Sequence, residues 1–372
     1  MSTGEIGAEE RALEKGLGLS RRQFLAATTG VVGAAALASL GPVAPAAYAD
    51  ASGVTVPQGK RGIILFTVRD AVSRLDNSVV DPATGQLLRG GFRGVFETLS
   101  AIGYHQVEFA GYTQGANGPI TPTEIRQLLD DNGLVANGSH GSIPSTVNPT
   151  TTAQFEQQLN NAEILGMRHM GTGGDPTGSN YKADWDAAAE VWNTWGAMAA
   201  ARGIKLYTHN HHQAYDFLLD SGPLDALGRP TRSSGIRKLE YFFGLADPEL
   251  VWFELDIYWA YVAQFRWHTY TDPDGVVRES VFDPVATVAA RPHRFPLFHV
   301  KDGVRADTPD GYTFVPAGTG VIPLQQLLDT IGEKGYHHPN YEQDNAPGGA
   351  ADPGQSLRFA DISYDNIAGW RG

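Results

Sequence analysis

The sequence predicts an α/β fold, a (β/α)8 TIM barrel, and three observations carry that expectation. Strand-like apolar runs alternate with helical patterns eight times along the chain. Those runs show little polar alternation, as strands covered on both faces do. Ionisable residues gather where the runs end, in Leu255-Asp256-Ile257-Tyr258-Trp259, His299-Val300-Lys301-Asp302 and Tyr341-Glu342-Gln343-Asp344. In a parallel barrel those ends come together and form the site.

The units follow in order. Gly62 to Val68 is the first strand, and Phe92 to Ile102 its helix. His105 to Phe109 is the second strand. Thr121 is placed to cap the helix from Pro122 to Asp131, with proline in the first turn. Leu134 opens the third strand, which ends near Ser139-His140, and Thr151 to Leu165 is helical. Arg168 to Met170 marks strand four. The helix from Asp184 to Ala201 stops before Gly203. Ile204 to Thr208 and Val251 to Leu255 are strands five and six, with a helix over Ser234 to Phe243 between them. Pro284 to Ala290, then strand seven (Phe295 to Val300), the helix from Pro323 to Lys334, strand eight (His337 to Tyr341) and a helix from Gln355 to Ile367 complete the set. Loops are expected at 144–152, 218–233 and 269–281, the last two long enough to rim a pocket. A doubly wound sheet is the alternative fold, but no Gly-x-Gly-x-x-Gly follows an early strand.

Residues 1–49 read as a leader. Ser20-Arg21-Arg22-Gln23-Phe24-Leu25 has the twin-arginine pattern, and a weakly apolar run closes on Ala47-Tyr48-Ala49, a small-residue cleavage site. Gly41-Pro42 interrupts that run, so no stable membrane span is expected. Residues 50–372 then form a single barrel domain, exported already folded to the periplasm, cell envelope or outside. The chain has no cysteine, hence neither disulfide nor thiol nucleophile. Its formal charge of −13 repels nucleic acid and anionic lipid, which points to a neutral small carbohydrate or glycoside as partner. Oligomeric state is not readable.

Asp256, His299 and Glu342 are candidate ligands to a shared divalent metal (Mn²⁺, Mg²⁺, Co²⁺ or Zn²⁺), since two carboxylates and an imidazole suit such ions. His209-Asn210-His211-His212 follows strand five. His209 and His211 share one side of an extended segment, so one could complete the metal shell and the other shuttle a proton. His211 is assigned to the metal and His209 to catalysis; a surface histidine cluster is the plain alternative. Glu108, between apolar neighbours, is a candidate general base or else a buried ion-pair member. His140 is a candidate acid–base or substrate histidine. Lys301 could stabilise an oxyanion developing on substrate. Tyr258, Trp259 and Trp267 can offer flat walls to a sugar ring, or simply pack in the core, and Lys182 is a rim candidate, with Tyr112 and Trp185.

With Val107-Glu108-Phe109, Ser139-His140, Tyr207-Thr208-His209-Asn210-His211 and the three strand-end stretches in hand, residues 60–370 resemble the xylose-isomerase-like barrel family of sugar isomerases and epimerases. The resemblance implies a metal held by Asp256, His299 and Glu342 together with a further glutamate, whose position here is Ala214. It implies proton abstraction beside a carbonyl of a non-phosphorylated sugar. The missing glutamate leaves room for an alternative, carbon–oxygen lyase chemistry on a 3-keto-glycoside. A noncatalytic carbohydrate-binding barrel is the third reading.

Overall fold

The computed structural model describes residues 53–331 and 335–372. The expected leader lies outside these residues, as do positions 332–334 of the helix expected to run to Lys334. Eight parallel strands close a barrel: β1 (Gly62–Ile64), β2 (Gln106–Phe109), β3 (Val135–Gly141), β4 (His169–Thr172), β5 (Lys205–Thr208), β6 (Val251–Asp256), β7 (Leu297–Val300) and β8 (His338–Tyr341). Each pairs with its sequence neighbours and β1 closes against β8, as the alternating apolar runs predict. Helices cover the outside, and an apolar layer between strands and helices forms the core. Two helix starts follow from local chemistry. Thr121 and Glu124 form a capping box ahead of Pro122–Asp131, and Asn148 caps Pro149–Leu165 in the same way. Among the described residues no helix is long and apolar enough to cross a membrane.

The structure departs from the sequence reading in five places. The first strand stops at Ile64, and the rest of the expected run turns into a short helix, Arg69–Ser73. A helix not expected from the sequence, Ile257–Arg266, begins directly after strand six and carries Tyr258 and Trp259. Asp256 causes that change, because its Oδ1 accepts the backbone N–H of Trp259 at 2.9 Å and caps the new helix. The helix expected from Ser234 begins at Lys238 and ends at Leu245. The two rim loops contain hairpins, Ser221–Leu224 with Pro230–Arg232 and Thr269–Thr271 with Val277–Glu279. A third hairpin, Asp302–Arg305 with Tyr312–Val315, follows β7 and was not expected.

The inside of the barrel is polar, and β3 is shaped to make it so. Val107 pairs with Ala136 but Glu108 pairs with Gly138, so β3 carries one extra residue at Asn137. Asn137 and His140 are three apart and would face opposite sides of a regular strand. The bulge re-aims the chain, and both reach the interior. Asn137 Nδ2 donates to Gln106 Oε1 at 2.9 Å and to Asn340 Oδ1 at 2.7 Å, and His140 bonds Glu254 across the barrel. Gly171 of β4 opens space for Tyr207: a Cβ there would stand 2.1 Å from the Tyr207 carbonyl oxygen and 2.7 Å from its ring. Gly171→Ala is therefore expected to lower stability by about 2 kcal/mol or more through overpacking, read from the urea midpoint; an unchanged midpoint would contradict the packing described.

Candidate metal centre

The site is organised around the imidazole of His299, near the end of β7. The barrel register sets His299 beside Asp256 of β6 and Asn340 of β8. Its two nitrogens face different groups. Nδ1 lies 2.7 Å from Glu342 Oε2, 3.0 Å from His209 Nε2 and 3.7 Å from Asp256 Oδ2. Nε2 lies 3.0 Å from Glu108 Oε2 and 3.2 Å from Glu254 Oε1. All six side chains are buried.

Two sets of side chains bring four potential ligand atoms within 4.8 Å of one another: His209, Asp256, His299 and Glu342, and, deeper, Glu108, His140, Glu254 and His299. The first set suits a divalent ion. Neighbouring ligands about 2.1 Å from one ion are separated by roughly 3.0–3.4 Å in octahedral or tetrahedral shells. The spacings from His299 Nδ1 to Glu342 and His209, and the 3.4 Å from His209 Nε2 to Asp256 Oδ2, sit close to that range. Two nitrogens and two carboxylate oxygens make a borderline donor set. In the deeper set Glu108 is already saturated. Tyr207 donates its hydroxyl to Oε1, Asn340 Nδ2 reaches Oε2 at 2.8 Å, and His299 Nε2 faces the same oxygen. A carboxylate behind the far nitrogen of a ligating imidazole fixes the ring's tautomer and orientation.

Lys301 borders the ligand set. Its Nζ stands 2.7 Å from both Asp256 Oδ2 and Glu342 Oε2 and 3.2 Å from Asp344. Burial opposes charge on each of these groups; mutual attraction outweighs it for Lys301, Asp256 and Glu342, whereas burial pushes Asp344 up to about 6. The lysine is held well above its ordinary pKa by Asp256 and Glu342, and Asp256 well below its own by Lys301. Burial likewise resists charging His299, but Glu254 and Glu342 raise its pKa far above the usual imidazole value. His209 goes the other way, its pKa held well below the usual imidazole value chiefly by burial. For His140, burial is outweighed by Glu108 and Glu254, and the pKa is raised.

The structure thus gathers His209, Asp256, His299, Glu342, Lys301, Glu108 and His140 in one place. His211 stands beside this group, its ring against Trp259 at 5.4 Å, while His209 supplies the nitrogen among the four ligand atoms. The two ring centres lie 5.1 Å apart in an edge-on contact, and the chain turns into a short 3-10 helix only from His212 onward. Ala214, in that turn, is buried and brings no ligand. Trp259 is half-buried, with Lys301 Nζ 5.4 Å from its ring centre. Trp267 donates to His212 Nδ1 at 2.9 Å and stacks on that ring at the rim. Tyr258 is buried against Phe314 and backs Trp259. Lys182 pairs with Asp186 at 2.9 Å on an exposed helix face, apart from the cluster. Tyr112 bonds Ser139, and Trp185 belongs to the core.

Glu254 is the residue that sequence reasoning missed. It lies two positions before Asp256 on β6, so the strand's two-residue period turns both inward. That period was the available signal.

The comparisons agree with the geometry. The model of the xylose isomerase-like TIM barrel family matches residues 96–353. No curated protein matches the chain in sequence. Among solved structures, a sugar phosphate isomerase/epimerase from Parabacteroides distasonis is 19% identical, with a TM-score of 0.59 over 88% of this chain and 99% of its own. D-Psicose 3-epimerase from Clostridium cellulolyticum is 14% identical, with a TM-score of 0.50 over 82% and 97%. The probable 3-DHS dehydratase from Bacillus anthracis is 13% identical, with a TM-score of 0.51 over the same shares, 82% and 97%.

Removing Lys301 leaves Asp256 and Glu342 buried without their cation. Lys301→Met should cost about 3–5 kcal/mol of stability in the presence of chelator, and added divalent ion should recover part of the loss. Denaturant titration with and without ion checks this; an equal loss in both conditions would separate Lys301 from the ion-binding carboxylates.

Proposed function

Because the chain belongs to the xylose isomerase-like TIM barrel family, we propose that it is a divalent-metal-dependent sugar isomerase or epimerase. Its substrate is a non-phosphorylated carbohydrate, and the reaction removes a proton from a carbon next to a carbonyl. The observation that carries the reading is the convergence of His209, Asp256, His299 and Glu342, with Lys301 against two of their oxygens. The sugar enzymes among its structural neighbours support it.

His209, Asp256, His299 and Glu342 would hold the ion, with His209 in the place first given to His211. Mn²⁺, Mg²⁺, Co²⁺ and Zn²⁺ all suit the donor set. When bound, the ion supplies a Lewis acid that polarises a carbonyl and brings sugar hydroxyls into register. Lys301 offers an ammonium to oxygen charge that develops on the substrate. Trp259 offers an aromatic face to the sugar ring. Glu108, with both oxygens engaged, keeps His299 oriented, and His140 is the group left to move a proton. Asp302 is held elsewhere, accepting backbone N–H groups from Gly303, Gly318 and Gly320.

A second reading has its own observation. Ala214 stands where a second glutamate would complete a two-carboxylate epimerisation site, and the strand-five ligand is an imidazole. Elimination from a 3-keto-glycoside needs one base beside a polarised carbonyl and fits this reduced set. Among the structural neighbours, one is named a probable dehydratase.

Metal analysis of protein folded in the cytoplasm, followed by incubation with candidate sugars in D₂O, tests both readings. The protein is expected to hold a stoichiometric ion that Asp256→Ala, His299→Ala and Glu342→Ala each lose. Deuterium entering a sugar C–H without loss of aglycone identifies isomerisation or epimerisation, and deuterium with aglycone release identifies elimination. Full metal content in all three variants would remove the site. We further propose export by the twin-arginine route. Mature protein recovered outside the cytoplasm should begin at Asp50, and Arg21→Lys with Arg22→Lys should retain it inside; export unaffected by the double variant would contradict the route.

A further inference from the structure

The two nitrogens of His140 are divided in use. Nε2 lies 2.8 Å from Glu254 Oε2 and 3.4 Å from Glu108 Oε1, so carboxylates surround that edge of the ring. Among the described residues Nδ1 has no protein hydrogen-bond partner. The His140 side chain is 14% exposed, whereas Glu254 is fully buried. A carboxylate accepts and cannot donate, so it draws the ring proton to Nε2 and leaves the lone pair on Nδ1. A buried acid that fixes the tautomer of a partly open imidazole makes it a directed base.

Gly173, just after β4, is the third observation. A Cβ at that position would stand 2.6 Å from His140 Nδ1. Its φ lies outside the left-handed region, so the missing side chain is needed for clearance and not for backbone shape. Glycine thus keeps open the edge of the ring that Glu254 leaves unprotonated.

We propose that His140 Nδ1 takes the carbon-bound proton of the substrate, that Glu254 is the positioning residue that sets its tautomer, and that Gly173 keeps the approach clear. The inference rests on the carbohydrate reading above and narrows it. The C–H electron pair becomes the C=C bond of an enediolate, the carbonyl π pair moves onto its oxygen, and the proton passes to Nδ1. The hydroxyl proton on the attacked carbon then moves to the former carbonyl oxygen, which leaves the charge on the other oxygen. The same imidazolium returns its proton to the former carbonyl carbon as that charge collapses to a new carbonyl. One nitrogen works on one face of the substrate, so the reaction is isomerisation between adjacent carbons. Inversion at a single carbon would need a second acid on the opposite face.

The test uses metal-loaded full-length protein, its Glu254→Gln and Gly173→Ala variants, and a panel of free aldoses and ketoses in D₂O. Nitrogen NMR of His140 in the wild type should place the proton on Nε2, and Glu254→Gln should remove that preference. Both variants should keep their ion and their circular dichroism while deuterium incorporation falls about 100-fold, in kcat more than in KM. A wild-type proton on Nδ1, or variants that exchange at the wild-type rate, would overturn the proposal while leaving the carbohydrate reading intact. A wild type that exchanges no sugar proton would sink that reading and the proton-transfer step with it. If the Gly173→Ala chain loses its ion or fold, the Glu254→Gln tautomer and exchange rate alone decide the outcome.

Discussion

Four carboxylates are buried around one imidazole, and the rest of the site answers that fact. Glu108, Glu254, Asp256 and Glu342 all lie within 4 Å of His299, and among the described residues Lys301 is the only permanent cation in contact with any of them. An unpaired buried charge is costly, so such a group must be matched by protons, by fixed donors or by a metal. The first two devices are present. Tyr207 and Asn340 give neutral hydrogen bonds to Glu108, Lys301 bridges Asp256 and Glu342, and His299 and His140 carry raised pKa values. The outer four ligand atoms are spaced as neighbours around one divalent ion, which would supply the remaining positive charge.

The fold serves this arrangement through small local choices. Asp256 works at both oxygens: Oδ1 caps the helix that begins at Ile257, and Oδ2 faces Lys301 and His209. The cap locks the rotamer that presents Oδ2, so helix start and ligand geometry are one event. The bulge in β3 does the same for His140, turning it inward although Asn137 already occupies the interior below. Gly171 and Gly173 make room for Tyr207 and His140, the side chains that touch Glu108 and Glu254. The family's structural neighbours share the barrel; these residues give this chain its particular balance of imidazole and carboxylate.

Much of this was legible in the sequence. The barrel followed from apolar runs ending in polar residues, a pattern that burial on both faces enforces. Asp256, His299 and Glu342 followed because strand ends converge in a barrel. What was hidden depended on exact chain direction. Glu254 sits between Phe253 and Leu255 and reads as a lone carboxylate until Asp256 sets the inward face. His209 and His211 are two apart in one extended stretch and their rings touch, so spacing alone does not say which of them joins the ligand atoms. The helix after β6 was masked because Ile257-Tyr258-Trp259 is as apolar as the strand before it, and only the cap at Asp256 marks the change. The hairpin after β7 begins in Asp302-Gly303, where a carboxylate held by backbone N–H groups replaces any hydrophobic signal.

The central claim is that the outer four side chains hold one divalent ion, with His209 as the strand-five ligand and His299 shared between ion and buried carboxylate. An anomalous-scattering map from crystals of the Co²⁺-loaded protein tests it most directly. The account predicts one strong peak bounded by His209 Nε2, Asp256 Oδ2, His299 Nδ1 and Glu342 Oε2. A peak ligated by His211 with His209 turned away, or loaded protein with no peak among these four atoms, would contradict it.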